Sequence, residues 1–260
     1  MATKVIDISS YQRSVDFAKV KASGVTGVIL RAGYTGYGAN HTKCKDDMFE
    51  SHYKGAKAAG LNVGAYYYSG AMTEAFAVDE AKWFLSIIKG KQFDLPVYMD
   101  VEETHSPTNM TTLGKSKLTA IVNKWCATVE AAGYFVGFYT AKSWCNVYVD
   151  MNALSRYTFW LAQWAAKPTY TGDYALWQYT SDGTVSGISG RVDMNYCYQD
   201  FPSIIKAAGL NGYPKQTTQE PPKEKMYTLT ISPLSKYNVD RLTKVLADMH
   251  FYGKVTEVKE

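Results

Sequence analysis

Acidic residues at strand ends are the chemistry-bearing feature of this chain. In Leu95-Pro96-Val97-Tyr98-Met99-Asp100-Val101-Glu102-Glu103 a strand-like run leads straight into carboxylates. Period-two geometry puts Tyr98, Asp100 and Glu102 on one face and Val97, Met99, Val101 and Glu103 on the other. The apolar set packs against helices, so the Asp100/Glu102 face points into the opening at the strand end. Two carboxyls there repel each other and are partly desolvated, which raises at least one pKa and makes a proton donor near neutral pH. Glycoside hydrolysis uses such a pair, one acid protonating the leaving oxygen and one group stabilising or attacking the sugar carbon. Helix capping or simple solvation is the competing account of an acidic strand end. Two more acids weigh against it: Asp7 in Val5-Ile6-Asp7-Ile8-Ser9, and Asp193 in Arg191-Val192-Asp193-Met194-Asn195.

The elements that must position these residues alternate in type up to about Tyr213. Strands are expected at 4–9, 27–32, 62–69, 95–102, 135–140, 159–164, 175–179 and 191–195, and helices at 16–22, 49–58, 73–88, 115–131 and 143–149. Alternating βαβ units imply parallel strands with right-handed crossovers. Towards the end the helices drop out, which predicts a TIM-like α/β barrel whose last third has lost its helices. An open doubly wound sheet is the rival, but no GxGxxG follows the first strand. In a closed barrel the first and last strands are neighbours, so Asp7 and Asp193 meet at the seam. Four acids at one rim fit neither a solvated face nor an unpaired buried structural use. A hard-cation site is the serious alternative, but no Asn/Asp-rich loop or His ligand accompanies them, so no metal or cofactor is expected.

Composition bounds the rest. With 260 residues, 46% hydrophobic and 20% charged, the chain can bury a core. Net charge is only +4 and forms no basic block, which argues against a nucleic-acid partner. No apolar run reaches the ~18 residues of a membrane span. The 21 Tyr and 6 Trp suit sugar-binding clefts as well as cores. Cys44, Cys126, Cys145 and Cys197 lack CxxC spacing and are read as reduced thiols. The N-terminus enters the first strand without a signal-peptide pattern, so a cytoplasmic location is expected. Residues 214–225 carry three prolines and no large apolar side chain, and read as a linker. Beyond it, 226–232 and 251–258 resemble strands flanking an amphipathic helix at 238–250. Such a β-α-β unit is too small to stand alone and must dock, self-associate or continue in a longer parent chain.

The same segments resemble the family 25 glycoside hydrolases, muramidases of the Chalaropsis type. The matching motifs are Asp7-Ile8-Ser9-Ser10-Tyr11-Gln12, Arg31-Ala32-Gly33-Tyr34, Gly64-Ala65-Tyr66-Tyr67-Tyr68, Asp100-Val101-Glu102, Trp177-Gln178-Tyr179 and the run 183–193. They occur in family order over residues 1 to about 200, and the tail matches no wall-binding repeat. The resemblance implies a (β/α)5(β)3 barrel that cleaves the β-1,4 bond between N-acetylmuramic acid and N-acetylglucosamine in bacterial peptidoglycan. By position, Glu102 is the implied general acid and Asp100 its partner, orienting the substrate's acetamido group or stabilising an oxocarbenium-like centre. Asp7 and Asp193 would tune these charges and hold the sugar. Residues two apart on a strand lie ~6.5–7 Å apart at Cα, between retaining and inverting spacings, so stereochemistry stays open.

Tyr34, Tyr66, Tyr68, Tyr139, Trp164 and Gln178 sit at strand ends where rings stack on sugar faces and an amide binds an acetamido group. Tyr66 and Tyr68 rank first because they share a face and match the motif. Arg31 is expected to pair with one of the acids. The expected biology is a phage endolysin acting on Gram-positive walls, held in the cytoplasm until a holin releases it. Its C-terminal module, 226–260, binds wall or oligomerises, and an internal start at Met226 would yield the tail alone. An exported autolysin, a non-catalytic glycan-binding barrel and a chitinase-like hydrolase are the alternatives. The last lacks its DxxDxDxE pattern here.

Overall fold

Asp7 lies at the end of β1 (Thr3–Ile8), and everything around it follows from how that strand is paired. In the computed structural model, which describes residues 2–36, 41–102, 109–215 and 235–248, eight strands close into a ring. These are β1, β2 (Val25–Thr35), β4 (Asn62–Tyr68), β5 (Val97–Asp100), β6 (Val136–Ala141), β7 (Thr158–Ala162), β8 (Leu176–Gly183) and β9 (Val192–Cys197). A three-residue strand, β3 (Lys43–Lys45), extends the sheet as an antiparallel partner of β2. The β1–β2 pairing closes the ring, and all neighbours from β1 through β2 to β8 run parallel. β9 runs antiparallel to both β8 and β1. The sequence pattern does not announce that reversal. It brings the start of β9, and Asp193, to the rim where the other strands end.

Four helices form the crossovers: α1 (Phe17–Ala22), α2 (Phe49–Ala58), α3 (Glu74–Ile88) and α4 (Lys115–Ala131). The Asp16 and Thr73 side chains cap α1 and α3 by accepting the Lys19 and Phe76 amides, satisfying first-turn N–H groups. Along α3 the apolar stripe expected from its three- and four-residue spacing, Ala77, Ala81, Phe84, Leu85 and Ile88, is fully buried except for Leu85, which is half-buried. The helix expected at 143–149 is instead a single 3-10 turn, Lys142–Trp144, followed by turns. A helix without a sequence-derived expectation, α5 (Phe201–Ala208), follows β9, capped by Asp200 and ended by Gly209 at φ 65°. The strand expected at 95–102 stops at Asp100.

Two apolar cores result. One lies between the helices and the outer face of the ring. The other fills the barrel interior, with Val5, Ile29, Tyr98, Trp160 and Leu176 packed together. Alternation then puts Asp7, Asp100 and Gln178 one level above Val5, Tyr98 and Leu176. Gly137 makes room for this packing: a Cβ there would meet the Thr158 carbonyl oxygen at 2.2 Å and the Tyr98 ring at 2.7 Å. The chain divides into two compact units, Met1–Gln216 and Thr217–Glu260. In the second, α6 (Lys236–Asp248) is described, whereas the strands expected at 226–232 and 251–258, and most of the 214–225 linker, lie outside the described residues. No helix among the described residues is long and apolar enough to cross a membrane.

Candidate active site

The antiparallel seam sets Asp7 directly opposite Asp193. On the other side of β1, beyond β2 and β4, β5 ends at Asp100, in register with Tyr68 of β4 and Tyr139 of β6. These ends surround a cavity of about 270 Å³ at the C-terminal rim, the face on which parallel barrels carry their reactive groups. Asp7, Asp100, Glu102, Asp193, Tyr66, Tyr139, Trp164 and Gln178 all line it. Glu102 lies two residues past the end of β5 and still reaches the cavity.

Two expected residues do not line it. Tyr34 lies under the Arg31 guanidinium, 4.8 Å from the ring centroid, so it supports Arg31 rather than the cavity. Tyr68, the last residue of β4 and two residues beyond Tyr66 on the same strand, is half-buried and outside the cavity lining. Arg31 does pair with an acid, but with none of the cavity four: its Nε donates to Asp46 Oδ2 at 2.8 Å, and its other donor contact is Ser10 Oγ at 2.9 Å. Three contributors escaped the sequence reading. Trp160 and Ser181 line the cavity, and the fully buried Asn195 stands behind Asp7. Asn195 had a usable signal, lying two residues beyond Asp193 on the same face of one strand. Trp160 had none, because an inward Trp on a strand reads like any core aromatic.

Hydrogen bonds fix the cavity floor. Trp160 Nε1 donates to Asn195 Oδ1 at 2.7 Å, and Asn195 Nδ2 donates to Asp7 Oδ2 at 2.7 Å. From the other side Gln178 Nε2 donates to Asp7 Oδ2 at 3.2 Å. Gln178 Oε1 accepts Tyr139 OH and Trp164 Nε1, each at 3.0 Å. Each amide is thereby oriented with its nitrogen towards the carboxylate. Asp100 contrasts with this: its Oδ1 is buried and has no hydrogen-bond partner among the described residues. A buried acceptor left open in a cavity is a place for a donor that arrives from outside.

The charges push one another's protonation upward. Burial, then the Asp193 carboxyl, raises Asp7 well above the usual carboxylate range, against the pull of the Asn195 and Gln178 donors. Asp100 is raised by burial first, then by Glu102 and Asp7, with Arg31 acting in opposition. Glu102 is pushed up to about 7, by burial and then by Asp193. Asp193 is pushed up to about 6, chiefly by burial. The four titrate as a set, which holds fewer than four negative charges near neutral pH and keeps a proton available for donation. Among the described residues, no three or more His, Cys, Asp or Glu side chains form a metal-binding group. All four cysteines are free thiols.

Comparison with known proteins agrees with this geometry. The family described as "Glycosyl hydrolases family 25" matches residues 6–188. The autolytic lysozyme of Clostridium acetobutylicum is 34% identical over 197 residues, covering 74% of this chain and 55% of that protein. Lysozyme M1 of Streptomyces globisporus is 29% identical over 200 residues, covering 73% of this chain and 66% of that protein. The chain thus spans between about half and two thirds of the length of these relatives. Among solved structures, that of the CTP1L endolysin superposes with a TM-score of 0.67 at 29% identity, covering 79% of this chain and 70% of that one. That work describes how the CTP1L endolysin's activity is regulated by a secondary translation product. With a barrel rim of four acids in the family's motifs and a family match over most of the barrel, this chain belongs to the family 25 glycosyl hydrolases.

Proposed function

We propose that this protein is a muramidase that cleaves the β-1,4 bond between N-acetylmuramic acid and N-acetylglucosamine in Gram-positive peptidoglycan, acting as a phage endolysin. The observation that carries the reading is the meeting of four mutually raised carboxyls in one cavity, with Asp100 Oδ1 open to an incoming donor. In this reading Glu102, protonated up to about pH 7, gives its proton to the glycosidic oxygen as the bond to the leaving sugar breaks. Asp100 accepts the acetamido N–H, or faces the developing positive charge at the sugar carbon. Asp7 and Asp193 limit how much negative charge the set carries. Trp164 and Tyr66 offer ring surfaces, and Gln178 an amide, to the sugar. The names of the relatives, lysozyme and endolysin, support the substrate class.

The layout is read as (β/α)5(β)3, with the 142–144 turn standing where a fifth helix belongs. Cytoplasmic storage followed by holin-dependent release is part of the same reading and follows the likeness to an endolysin. Digestion of purified Gram-positive walls by wild type and Glu102→Gln, with mass spectrometry of the products, is the test. Reducing-end muramic acid from wild type alone is expected. Equal release by both would move the acid elsewhere, and wall binding without release would make the barrel a lectin.

A second reading concerns the tail. The compact unit that begins at Thr217 holds Met226 near its start, and the CTP1L endolysin has a secondary translation product. We infer that initiation at Met226 yields a separate tail polypeptide that oligomerises with, or helps target, the full chain. A small C-terminal fragment on expression, lost in Met226→Leu, is expected; absence of any fragment from wild type ends the idea.

A further inference from the structure

Outside the cavity, a further buried acid stands beside the ends of β2 and β4. Glu80 on α3 is fully buried, and no step of the chemistry above uses it. Its carboxylate accepts three donors: Thr35 Oγ1 at the end of β2 (2.5 Å), Ser69 Oγ just past β4 (2.5 Å) and the Gly70 amide (2.9 Å). Because the single Thr35 hydroxyl proton goes to Glu80, Tyr67 OH is the donor in its 3.0 Å bond to Thr35 Oγ1. Ser69 Oγ, having given its proton to Glu80, accepts the Ala71 amide at 3.1 Å. One helix carboxylate therefore ties down the ends of two barrel strands and the first turn beyond β4.

The tie extends to the reacting groups through one backbone rung. The Ser69 amide donates to the Asp100 carbonyl at 3.0 Å, the last bond between the β4 and β5 edges before the chain leaves the sheet towards Glu102. On its other side that departing segment is held by the Val101 amide on the Tyr139 carbonyl at 2.9 Å. The Asp100 side chain has no bond of its own at Oδ1, so its direction depends on how firmly these two rungs hold its backbone. A carboxyl group is suited to this place in either state: burial pushes Glu80 up to about 7, and a proton on Oε2 donates to Ser69 Oγ while Oε1 keeps Thr35 and Gly70. In the ionised state three donors converge on it, and an amide in its stead would present two hydrogens to at least one of them.

We propose that Glu80 is a positioning residue for the family 25 reaction, fixing through Ser69 the backbone from which Asp100 and Glu102 project. The inference rests on the muramidase reading only for its kinetic readout. Misplacement of reacting groups by a fraction of an ångström lowers the rate of the chemical step more than substrate binding. In Glu80→Gln and Ser69→Ala, kcat for wall digestion is expected to fall about tenfold or more, with KM changed by less than about threefold. Glu80→Ala opens a buried hole as well and serves only as a folding control. The second readout needs no activity: carbon-13 titration of the Asp100 carboxyl in full-length protein. The strongest charges acting on Asp100 are Glu102, Asp7, Arg31 and Asp193, so a change on removing Glu80 reports moved geometry and admitted water rather than a lost neighbouring charge. Its midpoint is expected to move down, towards the ordinary carboxylate range, in both variants. Wild-type protein that digests no wall would sink the muramidase reading while leaving this titration to decide Glu80. A lower Tm in both variants with kcat and the Asp100 midpoint unchanged would make Glu80 a structural brace and overturn the proposal.

Discussion

Asn195→Leu tests whether the cavity floor is a connected polar network or a set of incidental contacts. Leucine matches the branched outline of asparagine but is bulkier, so no cavity opens and some overpacking adds to the cost; it can neither accept from Trp160 Nε1 nor donate to Asp7 Oδ2. Asn195 and Trp160 are both inside the barrel at no more than 2% exposure, so water does not replace the lost partners. An orphaned indole N–H costs about 1–3 kcal/mol, and losing a donor to the Asp7 carboxylate costs about 1.5–3 kcal/mol more. The expected total is about 4 kcal/mol, which in a barrel of this size lowers Tm by about 10 °C. A pH signature accompanies it. Asn195 is one of the donors that hold the Asp7 pKa down against burial, so its loss raises that pKa further. The variant's folded state then binds the Asp7 proton more tightly than wild type does, and its penalty grows as pH rises through the wild-type value. Thermal unfolding by circular dichroism at several pH values reads both effects. A Tm drop under about 3 °C, or a penalty that shrinks with rising pH, would refute the network.

Activity should fall as pH rises through about 7, because Glu102 must carry a proton to act as acid, and a pH–rate profile of wall digestion checks this. Stability should also fall between about pH 4.5 and 7. Glu80 rises from an ordinary 4.5 to about 7 on burial, so the stability present below the unfolded value is lost as pH passes the folded one, about 3 kcal/mol from this group. Urea unfolding of wild type and Glu80→Gln should show a flatter dependence in the variant; equal slopes would contradict it. Gly137→Ala forces a Cβ against the Thr158 backbone and should destabilise by about 1–3 kcal/mol, measured as a lowered urea midpoint. Trp164 is 64% exposed, so Trp164→Ala should leave Tm within about 2 °C while raising KM about threefold to tenfold through lost stacking.

Local pattern carried the parts of this protein that depend on neighbours in the chain. The stripe on α3, the alternation that aims Tyr98 and Asp100 inward, and the loss of crossover helices after β7 are all periodicities of a single segment. They were legible for that reason. The meeting of Asp7 with Asp193 was legible too, once the strands were taken to close. Other features are decided between segments far apart in sequence. The antiparallel course of β9 depends on which edge remains open when the barrel closes, and no pattern within 192–197 encodes it. That Tyr34 serves Arg31 while Trp160 serves the cavity follows from which rings meet after closure, since both read as strand-end or core aromatics beforehand. Sequence alone determined which residue types could do acid chemistry and on which strand faces they stand. Tertiary structure decided how far each carboxyl is desolvated and which donors hold it, because burial and charge act through space between groups that the chain separates by more than a hundred residues.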